Sequence, residues 1–132
     1  MFDLNSLKPE VGELELLHPS TLIPLVAEDG TPVVIRIVGI DSPQYAEAMD
    51  KLTERRRVRT QAGREMTPQE AREEDALTLA ACTVGWQGLA FGEAEYTYNA
   101  ENAKRLYLNP EFNWLKEQVN RFAAARRNFI KA

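Results

Sequence analysis

One cysteine, one histidine and no long apolar run are what this chain offers where many functions would need more. A lone Cys82 cannot close an internal disulfide, which points to a reducing compartment such as a cytoplasm. A transmembrane helix needs about 20 consecutive apolar residues, and none occur. Met1-Phe2-Asp3 opens no signal peptide, because neither a basic start nor an apolar core follows it. Gly85 and Gly88 fit neither the P-loop nor the dinucleotide fingerprint. A net charge of −4 argues against a general nucleic-acid binder, although that charge is unevenly spread. There is no internal repeat, low-complexity tract or composition shift marking a second domain.

What is present suits one globular domain spanning residues 1–132. Hydrophobic residues make up 44% and charged residues 27%, so disorder is excluded on composition. The last third, Gly85 to Ile130, holds both tryptophans, three of the four tyrosines and four of the five phenylalanines. Such a segment is a folding core or a contact surface.

Residues 1–12 read as a loose arm, 13–40 as a β part and 42–130 as a helical part. Glu13-Leu14-Glu15-Leu16 alternates as a half-buried strand does. Leu22 to Ala27 is apolar, but Pro24 restricts it to an edge or a bulge. Asp29-Gly30 supplies the positive φ of a tight turn. Val33 to Ile40 follows as the strongest strand, interrupted only by Arg36. Ser42-Pro43 and Thr67-Pro68-Gln69-Glu70 are two helix starts, the second with Glu70 placed for a capping box. The second helix is expected to stop at Gly85, with a short connection or strand from Trp86 to Phe91. Asn99 or Thr97 caps a third helix over Ala100 to Leu108. Asn109-Pro110 breaks it and starts a fourth that runs on to Phe129. The fold class is α+β: an N-terminal two- or three-stranded antiparallel sheet, then about four helices.

Sites for chemistry are sparse. His18 has no nucleophile motif to serve, and Cys82 has no basic neighbour at helical spacing to lower its pKa. Glu70, Glu73 and Glu74 share a helix face, yet acidic residues in a first helical turn answer the helix dipole without any metal. Neither a metal nor a cofactor is expected, and the chain does not read as an enzyme. The basic stretch from Lys51 to Arg64 is the serious rival, because arginines there could contact phosphates. The acidic run Glu65 to Asp75 follows at once, so mutual neutralisation is preferred over nucleic acid. Arg121, Arg126, Arg127 and Lys131 make the last helix basic. Phe112 and Trp114 flank Asn113 and cannot share one narrow helical stripe, so one of them is expected to reach a partner.

Three motifs in this aromatic third resemble a family of small phage-encoded tail assembly chaperones. They are Gly85-Trp86-x-Gly88-Leu89-x-Phe91; Tyr98-x-x-Glu101-Asn102-Ala103-x-x-Leu106-Tyr107 followed by Pro110; and Trp114-Leu115-x-x-Gln118-Val119-x-x-Phe122 ending in Arg127-Asn128-Phe129. A weaker match is Gly39-x-Asp41-Ser42-x-x-Tyr45. Together they cover Val33 to Ile130. One departure is Ala125, where the family leads one to expect an acid, which removes an ion pair expected at the last helix.

The resemblance implies a non-enzymatic helper of phage or prophage tail assembly, acting in the host bacterial cytoplasm. Its partners would be the tape-measure protein and, in addition, the tail-tube protein. Contact candidates on this reading are Phe112, Trp114, Leu115, Gln118 and Phe122. The alternatives are a structural tail or neck component of the virion, or a small nucleic-acid-binding regulator using Arg55 to Arg59 and Arg64. A homo-oligomer stays open.

Overall fold

The computed structural model describes residues 1–130. Its centre is a three-stranded antiparallel sheet in the order β1 (Gly12–Glu15), β2 (Val34–Ile37), β3 (Thr83–Gln87). β2 lies in the middle, as its near-continuous apolar run requires. Ile35 pairs with Leu14 on one side and Trp86 on the other. The apolar run from Leu22 to Ala27 forms only isolated bridges, Leu17 to Pro24 and Val26 to Pro32. In the turn between, Gly30 adopts φ +85°, the conformation for which the Asp-Gly pair is suited.

Four α-helices complete the architecture: α1 (Pro43–Gln61), α2 (Pro68–Cys82), α3 (Ala100–Leu108) and α4 (Asn113–Ala124). The Ser42 side chain accepts from the Tyr45 N–H, and Asn99 accepts from the Asn102 N–H. Thr67 and Glu70 form the reciprocal capping box. Each cap satisfies a backbone donor that a helix start leaves without an intrahelical partner.

Several boundaries differ from the sequence expectation, and the strand expected over Val33 to Ile40 is regular only over Val34–Ile37. α2 ends at Cys82 rather than at Gly85, and the chain passes directly into β3 with Thr83 already extended at ψ 126°. Gly85 is therefore a strand residue facing Arg36, and β3 starts within the stretch expected to be helix and runs into the one expected as a connection or strand. β2 overrides the local preference by offering a paired edge, which propensity cannot anticipate. The fourth helix begins with a 3-10 turn over Pro110–Phe112 and ends at Ala124, another 3-10 turn, Arg126–Asn128, carries the chain to Phe129, and a further one, Leu4–Leu7, lies in the arm expected to be loose. A two-stranded ribbon, β4 (Ala90–Phe91) with β5 (Ala94–Glu95), projects between β3 and α3.

One apolar core joins these layers. Leu16, Ile35, Ile37, Ala76, Ala103 and Val119 are fully buried within it, together with nearly buried Tyr107 and Leu115. Residues 1–11 are exposed, but the arm is anchored at its end, where the Glu10 N–H donates to the Phe129 carbonyl at 2.8 Å. Phe129 also lies against Gly39, where an added Cβ would stand 2.6 Å from its ring, so only glycine permits that approach. Just beyond α4, Arg126 Nε donates to Asp41 Oδ2 at 2.6 Å, an ion pair that spans much of the chain. That contact holds the Asp41 carboxyl below its usual range. Among the described residues no helix is long and apolar enough to cross a membrane.

Candidate functional site

The aromatic residues of the last third are not scattered. Trp86, buried on β3, stacks on Tyr96 with ring centres 5.6 Å apart and planes within 9°. Tyr96 meets Phe91 edge-on at 4.7 Å, and Phe91 meets Phe112 at 5.6 Å. A continuous aromatic path thus leads from the core to the surface, each step in a geometry that rings favour. Its polar atoms are satisfied on the way. Trp86 Nε1 donates to the Tyr96 carbonyl at 2.7 Å, and the Tyr96 hydroxyl donates to the Asn102 carbonyl at 2.9 Å.

Where this path surfaces, Phe91, Tyr96 and Phe112 line a groove of about 350 Å³. Leu25 and Val26 line it too, as do Phe112, from the 3-10 turn before α4, and Trp114 and Leu115 from the start of α4. Phe91 is 48% exposed and Val26 64%, while Phe112 and Trp114 are half-buried. The 3-10 turn before α4 is what lets Phe112 and Trp114 share the site, since consecutive α-helical positions two apart would point away from each other.

The five contact candidates therefore divide. Phe112 and Trp114 line the groove with part of their surface free. Leu115 also lines it but is a core residue at 3% exposure. Gln118 is occupied: its Oε1 accepts from the Leu17 N–H at 2.9 Å and its Nε2 donates to the Leu17 carbonyl at 2.8 Å. This amide stands in for a strand partner of Leu17, an internal task. Phe122 lies away from the groove, packed edge-on against Phe129 at 5.4 Å and close to Gly12. Sequence reasoning missed Phe91, Leu25 and Val26 as members of the site. Only the Gly88-Leu89-Ala90-Phe91 turn hinted at Phe91.

The other candidates resolve into structural roles. His18 Nδ1 accepts from the N–H groups of Ser20 and Thr21, capping a surface turn. That turn holds Leu22 at φ +61°, an uncommon conformation for a side chain other than glycine. Cys82 is buried, and burial pushes its thiol up to about 11, the opposite of an activated nucleophile.

The basic stretch is largely matched by acids. Arg59 is 7% exposed and donates to Glu70 at 3.3 Å and Glu74 at 3.1 Å. Arg64 pairs with Glu70 at 2.9 Å, Arg55 approaches Glu73 at 3.9 Å, and Arg57 pairs with Glu54. Hydrogen bonding from Arg64, helped by the Thr67 N–H, lowers the Glu70 carboxyl to about 2. The glutamates once weighed as metal ligands are thus the counterions of the arginines once weighed as phosphate contacts.

A larger depression of about 530 Å³ opens between α1, α2 and α3. Alanines (Ala48, Ala80, Ala81 and Ala100) with Leu52 and Leu77 supply its apolar lining, so it has no aromatic ring to anchor a partner. Most of its charges are engaged with one another or with near neighbours, as in Glu47–Lys51 and Glu101–Arg105. The aromatic groove is the better candidate for recognition.

No family model, curated protein or solved structure matches this chain.

Proposed function

We propose that this protein is a non-enzymatic tail-assembly chaperone of a phage or prophage. It works in the bacterial cytoplasm, where it binds the tape-measure protein and helps bring tail-tube subunits to it. The observation that carries the reading is the groove holding Phe112 and Trp114, within the segment whose motifs resemble that family. A tape-measure chain awaiting its tube exposes apolar helix faces that aggregate unless covered. A rigid groove with half-exposed aromatic anchors is suited to cover one such face by the helix-in-groove mode. Internal neutralisation of the α1–α2 arginines further favours a protein partner over nucleic acid.

The test is co-expression with a tape-measure-like protein from the same genome, followed by affinity pulldown, a solubility assay and analysis of purified particles. The expected result is a partner that stays soluble only with this chain, which is itself missing from finished tails. Presence in particles without association would identify a virion component instead. Salt-sensitive DNA retention lost on reversing Arg56 and Arg64 would identify a nucleic-acid binder.

A further inference from the structure

The aromatic groove is bordered by acids. Glu93 follows Gly92 of its lining, Glu95 sits opposite Ala90 across the β4–β5 ribbon, and Glu111 precedes Phe112. Glu28 and Asp29 occupy the turn just beyond Val26. All five are exposed, and none of them belongs to an ion pair among the described residues. The basic residues nearby do not offset them. Arg105, whose charge reaches Tyr96, is paired with Glu101 at 3.6 Å. Lys116, next to Leu115, faces a different depression with Tyr45 and Met49. Along α1 and α2, by contrast, Glu47, Glu54, Glu70 and Glu73 each have a lysine or arginine partner. An apolar groove and an unmatched acidic border thus coincide.

We infer that the occupant of this groove is a cationic amphipathic helix, with bulky apolar side chains on one face flanked by lysine or arginine. The inference rests on the proposed chaperone reading and narrows which segments of a long helical partner the protein selects. The apolar anchors enter between Leu25, Phe91, Phe112 and Trp114, while the flanking cations meet the carboxylates at the border. The volume of about 350 Å³ admits anchor side chains rather than a whole helix, so the helix lies across the opening with its flanks in solvent. In that position the charges contribute mainly through speed of encounter and choice of partner, both screened by salt.

Two fluorescein-labelled helical peptides test this. Both carry leucine, phenylalanine and leucine at i, i+4 and i+7; one has lysine at the remaining surface positions and the other glutamate. Binding to the full chain is followed by fluorescence anisotropy from low to high salt. The lysine peptide is expected to bind at least about tenfold more tightly at low salt, with the gap closing as salt rises. Glu93→Gln/Glu95→Gln/Glu111→Gln is expected to remove most of that preference, and Phe112→Ala to weaken both peptides. Equal affinity for the two peptides overturns the charge inference, and the groove still stands if Phe112→Ala weakens both. Binding of neither peptide overturns the inference also. If co-expression still keeps the tape-measure partner soluble in that case, the chaperone function stands and uses another surface.

Discussion

The α1–α2 hairpin and the aromatic wall from β3 to α4 are held together by different physics. α1 is 19 residues long, yet only Leu52 and Arg59 along it are buried, and it packs chiefly on α2. Its far end is fastened by Arg59, Arg64, Glu70 and Glu74, a polar joint with one deeply buried pair. The wall has the reverse character. Trp86, Tyr96 and Tyr98 interlock through ring contacts, and their polar atoms, with that of buried Tyr107, end on backbone carbonyls or on Thr83. Charge pairing confers register on a hairpin with little apolar surface, whereas the aromatic wall supplies rigidity beneath a binding surface. A groove meant to receive apolar anchors benefits from being preorganised, because ordering at the moment of binding costs affinity.

Three substitutions sharpen the contrast. Trp86→Ala is expected to have the largest effect, a loss of about 3–5 kcal/mol in urea denaturation, because it removes a buried ring from the middle of the aromatic path. Its near-ultraviolet circular dichroism should collapse with it. Arg59→Met comes next at about 3 kcal/mol, since it strands Glu74 in a nearly dry site. Adding Glu74→Leu should recover much of that loss, and no recovery would mean the arginine acts by packing alone.

Glu70→Gln is expected to be the mildest at neutral pH but to change the acid response. The folded carboxyl titrates at about 2, below its ordinary range. Its contribution is therefore complete above the ordinary carboxylate range and fades as pH falls from there to about 2. Denaturation midpoints taken at descending pH should show a shallower acid loss in the glutamine variant than in the parent.

Local chemistry made much of the fold legible. Ser42-Pro43, Thr67-Pro68-Gln69-Glu70 and Asn99 each placed a helix start where the structure has one, because capping is settled within four residues. The Leu17–Gln118 pairing was not legible, since its partners are 101 residues apart and amide side chains carry no register signal. β3 was legible only in part: a connection or strand is expected from Trp86, but Thr83-Val84-Gly85 joins it because β2 offers an edge. The groove was half visible. Phe112 and Trp114 stood out as two large rings that could not share a helical stripe. Leu25 and Val26 reach the same place from the other end of the chain, which no local pattern reveals.

The clasp of Phe129 against Gly39, closed by its carbonyl on the Glu10 N–H, bears on how the chain is made as well as how it is held. β1 and β2 are synthesised early, but the ring that covers their ends and the bond that fixes the arm come from residue 129. On a translating ribosome the sheet can collapse but cannot be sealed until that residue has emerged. Loop closure over so long a separation is the slow, entropically costly kind. A chain paused before Phe129 would present a sheet without the ring that packs on Gly39 or the bond that holds the arm.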